Sequence, residues 1–181
     1  MTYHTTVLLH EGVDALDMQP AGTYVDVTLG AGGHSKEILK RLASEGHLLG
    51  FDQDADAVNN APDDDRFELC FGNFRFLKQF LLAKGVQKVD GIIADLGVSG
   101  HHFDKASRGF SFRFDAPLDM RMNASQEKSA IEVVNDYEVG VLIRLFKRYG
   151  EFLSSKPISS SSASRVSICA PGCLWHVVYP N

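Results

Sequence analysis

The 181-residue chain is 44% hydrophobic and 23% charged, ordinary values for a globular domain with its own core. No apolar run is long enough to span a membrane, and the start MTYHTTVLLHEG lacks the basic and apolar regions of a secretory signal, so the expected location is the cytoplasm. Three cysteines supply no disulfide framework, and a formal net charge of −5 argues against a uniformly basic nucleic-acid surface while leaving local basic patches open.

From residue 23 onward, short apolar runs alternate with helical patterns. TYVDVTL (23–29) reads as a strand, and HSKEILKRLASEG (34–46) as a helix with Ile38, Leu39 and Leu42 on one face and Gly46 placed to end it. HLLGFD (47–52) is a second strand, a short polar helix is expected over 54–60, and RFELCF (66–71) is a third strand. NFRFLKQFLLAKG (73–85) predicts an amphipathic helix capped by Asn73 and closed by Gly85, and VDGIIAD (89–95) is a fourth strand. This alternation predicts an α/β fold with a parallel sheet covered on both faces. Residues 96–125 interleave Gly, Ser, Asp and Arg with aromatics and read as a long functional loop, followed by helical segments near 127–134 and 137–149. From Phe152 the chain turns serine-rich and nearly acid-free, without helix or strand periodicity.

The first strand ends in Gly30-Ala31-Gly32-Gly33-His34-Ser35. A dinucleotide fingerprint needs a third glycine where Ser35 stands, and a phosphate-binding P-loop needs a Gly-Lys pair that this sequence lacks. Asp52, twenty-two residues after Gly30, ends the second strand, where a carboxylate can accept both hydroxyls of a ribose. An adenosine site without pyrophosphate recognition points to S-adenosylmethionine. Glycines admit close backbone approach to its methionine part, and the helix start at His34–Ser35 favours its carboxylate. The plainer alternative is a tight strand-to-helix connection with no ligand. Phe74, after the third strand, can lie beside an adenine or belong to its helix's core. Asp95, at the end of the fourth strand, is either a ligand-facing group or a turn residue.

HTTVLLHEGVDAL (4–16), YVDVTLGAGGHS (24–35), GFDQDADA (50–57), DLGVS (95–99) and RGFSFRFDAPLDMRM (108–122) together resemble the bacterial small-subunit ribosomal RNA cytosine N4-methyltransferase family, from about His4 to Glu151. The resemblance implies an incomplete Rossmann-like class I methyltransferase sheet of four parallel strands, with residues 1–125 in the cofactor domain and 126–151 opening a helical insertion. It implies methyl transfer from S-adenosylmethionine to a cytosine amine in 16S ribosomal RNA of the small subunit. It places cofactor contacts at Gly32, Gly33, His34, Asp52, Phe74 and Asp95, and a further one at His102, where the family has glutamine; Gly100 stands where it has serine. A histidine can donate or accept but cannot copy an amide's paired groups.

A cytosine amine is a poor nucleophile because its lone pair is delocalised into the ring, so the site must hold nitrogen, methyl carbon and sulfur nearly in line. Asp95 is the expected catalytic acceptor or orienting group. Phe110, Phe112 and Phe114 can pack around a flipped base, or form one face of an edge strand. Arg108, Arg113 and Arg121 are candidate RNA phosphate contacts, with ion pairs to Asp104, Asp115 and Asp119 as the plainer alternative. No metal is expected: His101-His102-x-Asp104 has ligand-type residues without an anchor, and Cys169-x-x-x-Cys173-x-x-His176 lacks a second ligand pair.

The family's chain is much longer, and its further strands follow the insertion. Here the resemblance is expected to stop at KRYGE (147–151), with 152–181 a divergent tail, disordered or the product of a frameshift or truncation. Strand 4 would then be an exposed edge. A cofactor-binding remnant without catalysis is the main alternative function, and a nicotinamide-dependent oxidoreductase is disfavoured by Ser35.

Overall fold

The computed structural model describes residues 6–150; the serine-rich tail and Cys169–His176 lie outside the described residues. These form two compact units, one reaching to Ser99 and including Met122–Ala124, the other holding Gly100–Arg121 and the described residues from Ser125. The sequence-based boundary at 125/126 does not coincide with this division, which groups residues 100–121 with the helices that follow.

The first unit is a four-stranded parallel sheet in the order β3-β2-β1-β4. Its strands are β1 (Thr23–Asp26), β2 (His47–Asp52), β3 (Phe67–Phe71) and β4 (Gly91–Ile93). Register pairs Thr23 with His47, Tyr24 with Gly91, and Leu48 with Phe67. From β1 the chain steps outward through β2 to β3, then returns to lay β4 on the other side of β1. The order therefore reverses between β1 and β4, and in open α/β sheets the crevice outside the strand ends at such a reversal is where ligands bind.

Alternate side chains of β1 go to opposite faces, both buried, which explains why its run is apolar apart from Asp26. Tyr24 joins Val13, Ile38, Leu39, Leu42 and Leu48 in one core cluster, under α1 (Leu9–Asp14) and α2 (Gly33–Arg41). Val25 and Val27 join Leu49, Phe51 and Cys70 on the other face, against Leu77, Phe80 and Leu81 of α4 (Leu77–Ala83). Phe51 meets Phe80 edge-on at 5.3 Å between ring centroids. Fully burying side chains of this size stabilises the fold by about 1.5–3 kcal/mol each.

β2 matches its expected bounds, and β3 and β4 fall inside theirs. β1 is formally paired only over 23–26, because the chain beyond it bonds alternately to its two neighbours: Val27 N donates to Ile93 O (3.0 Å) and Leu29 N to Phe51 O (2.9 Å). Several expectations need correction. α2 ends at Arg41, with Leu42 extended and buried, so Gly46 is not its terminator. A Cβ at Gly46 would stand 2.6 Å from Pro20 O, and close passage of the 19–22 turn is what that glycine permits. The helix expected from Asn73 is split into a 3-10 turn (Phe74–Phe76) and α4, although Asn73 caps as expected by accepting from Arg75 N (2.9 Å) and Gly85 follows with φ +73°. The polar helix after β2 is the single turn α3 (Ala55–Val58), capped by Asp54. α1 was not apparent in the sequence pattern. Among the described residues β4 ends its side of the sheet, and Ile92, Leu96 and Val98 are exposed.

In the second unit, residues expected to form a structureless loop contain α5 (Gly100–Asp104) and a 3-10 turn (Ala106–Arg108). The alternation at 110–114 forms no strand. α6 (Ala130–Asp136) and α7 (Val139–Tyr149) follow. Glu132 holds the start of α6 by accepting from Ser129 N (2.6 Å) and Ser129 Oγ (2.8 Å).

Candidate functional site

All four strands of the first unit run in one direction, so their exits share one edge of the sheet. The glycine turn leaves β1 there. Gly30 and Gly32 have φ of +50° and +76°, and a Cβ on Gly32 would approach Asn60 O to 2.9 Å. Only a residue without a side chain meets both conditions at Gly32 without strain. Beside it, a Cβ on Gly33 would run into the Thr6 side chain. The turn is closed by Gly32 N donating to Leu29 O (2.7 Å) and by Asn60 Nδ2 donating to Gly30 O (2.9 Å). His34, in the first turn of α2, is buried against α1, where a Cβ on Gly12 would lie 3.6 Å from its Nε2. Lys36 Nζ lies 3.5 Å from Ala31 O, which puts a cation beside the turn.

Asp52 stands at the next exit. Its Oδ2 accepts from Gly30 N (2.9 Å) and its Oδ1 from Asp54 N (2.9 Å), so the carboxylate joins the end of β2 to the glycine turn. Each oxygen keeps acceptor capacity beyond the one bond it makes. At the β3 exit Gly72 N donates to Asp52 O (2.8 Å), and Asn73 Nδ2 donates to Gln53 Oε1 (2.9 Å). Phe74 follows on the 3-10 turn and is 41% exposed, so its ring is not a core residue of the helix. The exits of β1, β2 and β3 are thus tied into one frame that carries the turn, a carboxylate and an accessible aromatic ring.

β4 completes the frame. Asp95 is exposed, and no hydrogen bond or ion pair among the described residues engages its carboxylate; its backbone N–H donates to Thr28 Oγ1 (2.8 Å). Sequence reasoning missed the group beneath this arrangement. Asp26, the last residue of β1, is fully buried, and its Oδ2 accepts from Ser35 Oγ (2.7 Å) while Oδ1 accepts from Thr28 N (3.0 Å). Burial pushes its pKa up from the ordinary carboxylate value, against the Ser35 and Thr28 bonds and the nearby His34, which pull it down. The available signal was an acid inside the otherwise apolar VDV, with Ser35 nine residues on.

The remaining predicted residues lie in the second unit. His102 is buried on α5, its ring edge-on to Phe110 at 5.3 Å. Phe112 and Phe114 are exposed. Arg108 Nη2 donates to Arg121 O (3.0 Å). Arg121 makes a two-pronged bond to Asp119, Nε to Oδ1 at 2.8 Å and Nη2 to Oδ2 at 2.7 Å, and reaches Gln126 O (2.6 Å). Its guanidinium holds the Asp119 carboxyl below the usual range. Arg113 pairs with Asp104 (2.6 Å) and lies over the Phe114 ring, with its side chain 60% exposed. Local ion pairing therefore describes Arg113 and Arg121 in this structure, and Arg113 is the more accessible. Among the described residues no group of three or more His, Cys, Asp or Glu side chains is arranged to hold a metal ion, and no helix is long and apolar enough to cross a membrane.

The family model described as the MraW methylase family matches residues 1–167. That match runs past KRYGE at 147–151, where the resemblance was expected to stop. The chain is 54% identical over 164 residues to the Ribosomal RNA small subunit methyltransferase H of Christiangramia forsetii, covering 91% of this chain and 54% of that relative. Identity to the protein of the same name from Flavobacterium johnsoniae is 58% over 158 residues, 87% of this chain and 52% of the relative. For Parabacteroides distasonis it is 54% over 159 residues, with the same two shares. The chain spans about half the length of the curated relatives it matches.

Proposed function

The chain belongs to the MraW methylase family, and on that premise we propose that it binds S-adenosylmethionine at the strand exits and serves methyl transfer to the N4 amine of a cytosine in 16S ribosomal RNA, at the small ribosomal subunit in the cytoplasm. Relatives named as small-subunit ribosomal RNA methyltransferases support the substrate class. The observation that carries the reading is the frame itself: a sheet reversing between β1 and β4, as in the Rossmann-like class I methyltransferase fold, with the glycine turn, Asp52, Phe74 and Asp95 at its four exits.

The residues suit this cofactor. The Asp52 carboxylate has acceptor capacity for ribose hydroxyls and Phe74 offers an accessible ring to an adenine, while at Gly32 and Gly33 the missing Cβ admits Asn60 O and the Thr6 side chain, so their assignment to the methionine part rests on the family resemblance. The sulfonium of S-adenosylmethionine supplies an electrophilic methyl group when bound. The chain's part is positioning. Asp95, its carboxylate unengaged, accepts a hydrogen bond from the cytosine amine, orients it, and takes up the proton that the nitrogen gives up on methylation. His102, where the family has glutamine, lies buried on α5 in the second unit, and its cofactor role rests on the family resemblance alone. Arg108, Arg113 and Arg121 are assigned to RNA phosphates, with Arg113 foremost because it is the most accessible.

Calorimetric titration of the chain with S-adenosylmethionine and, separately, with reduced nicotinamide dinucleotide tests the reading. Binding of the first alone is expected. Binding of the nicotinamide cofactor alone would overturn it. Transfer of labelled methyl to 16S ribosomal RNA then separates a catalyst from a protein that only binds the cofactor.

A further inference from the structure

Thr28 occupies an unusual position between β1 and the glycine turn. The β1–β4 ladder's last backbone bond runs from Val27 N to Ile93 O (3.0 Å). The next outward donor past β4, Asp95 N, bonds instead to a side chain, Thr28 Oγ1, at 2.8 Å. That hydroxyl lies 3.4 Å from Asp26 Oδ1, which also accepts from Thr28 N (3.0 Å). The other Asp26 oxygen accepts from Ser35 Oγ in the first turn of α2 (2.7 Å). A fully buried carboxylate is costly unless donors surround it, and here those donors come from two different segments. Asp26 thereby joins the start of α2 to Thr28, and Thr28 carries the connection across to β4.

We propose that Thr28 is a positioning residue for the cofactor site: its hydroxyl, anchored on buried Asp26, holds the backbone of Asp95 in one place relative to the glycine turn. The inference rests on the reading of the strand exits as an S-adenosylmethionine site. Thr28 touches no ligand in this scheme and acts through Asp95. A valine of nearly the same shape fills the space but leaves the Asp95 N–H without its acceptor, so the β4 exit loses its registration with the turn. The β2 and β3 exits, tied together through Asp52, Gln53 and Asn73, do not depend on Thr28.

The test uses the full chain and the variants Thr28→Val, Thr28→Ala and Thr28→Ser, each titrated with S-adenosylmethionine and with adenosine. Asp95 amide exchange is followed by nuclear magnetic resonance. Loss of one positioning hydrogen bond is expected to weaken S-adenosylmethionine binding about tenfold in T28V. Adenosine, which engages the β2 and β3 exits, keeps its affinity in T28V; T28S restores the affinity for S-adenosylmethionine, and Asp95 amide exchange accelerates in T28V but not in T28S. T28A serves as the hydroxyl-free variant should T28V fail to fold. Wild-type affinity for S-adenosylmethionine in the hydroxyl-free variant overturns the inference while leaving the site assignment intact. Equal losses for both ligands also overturn it, since they mark general destabilisation. Failure of the wild-type chain to bind S-adenosylmethionine removes the site assignment, and with it the premise.

Discussion

Replacing Asp52 by asparagine separates the two roles that the structure gives this carboxylate. Its oxygens accept from Gly30 N and Asp54 N, both at 2.9 Å. Asparagine keeps one acceptor and turns an NH2 group toward whichever backbone N–H remains. A hydrogen bond to a charged group contributes about 1.5–3 kcal/mol, and because Asp52 is half-buried, water recovers part of that, leaving an expected loss near 1–2 kcal/mol. For a chain of this size, that lowers Tm by about 2–8 °C. The same substitution removes one charged acceptor from the ribose diol, which weakens S-adenosylmethionine binding about ten- to hundredfold. Thermal melts followed by circular dichroism read the first effect and calorimetric titration the second. A 2′,3′-dideoxyadenosine control isolates the ribose contact, because a ligand without those hydroxyls should lose little affinity in D52N. An unchanged Tm would refute the tie between β2 and the glycine turn. A lowered Tm with unchanged cofactor affinity, or equal losses for both ligands, would refute the ribose role.

Gly32→Ala is expected to cost about 1–2 kcal/mol from its left-handed backbone alone, and to weaken cofactor binding because its Cβ would press on Asn60 O at 2.9 Å. Gly85→Ala is its control in the same melts and titrations: φ is +73° but the space is open, so stability falls while cofactor affinity stays. Asp64 is held at about 2 by its bonds from Arg66, well below the ordinary aspartate range. A depressed carboxylate contributes stability above its unfolded pKa and loses it as pH falls toward the folded value. Asp64→Asn should therefore be less stable than wild type at pH 6, and the difference should shrink as pH falls below about 4 and through about 2, as read from urea melts across that range; a difference independent of pH would refute the pairing.

The sequence by itself determined the alternation of strands and helices, because burial on both faces demands apolar runs at β1 and β2 and amphipathic periodicity in the helices between them. It also determined the residue types at the strand ends: a glycine turn without phosphate-binding signatures, an acid ending β2, an aromatic after β3 and an acid after β4. These were legible because each is a local fact, a residue type at a strand terminus. Tertiary structure decided how they are held. The tie from Thr28 to Asp95 spans 67 residues of chain, and the Asp52 bond to Gly30 spans 22; neither partner's type announces the other. Asp26 was overlooked for the same reason, since a buried acid in a strand makes sense only once Ser35 and Thr28 are seen to donate to it. Long-range packing likewise ended α2 at Arg41, where Ala43 N turns to Pro20 O at 2.7 Å. In residues 96–125, arginines and acids at irregular spacing carry no periodicity to read, and it is the bonds of Arg121 to Asp119 and of Arg113 to Asp104 that distinguish a bracing guanidinium from an accessible one.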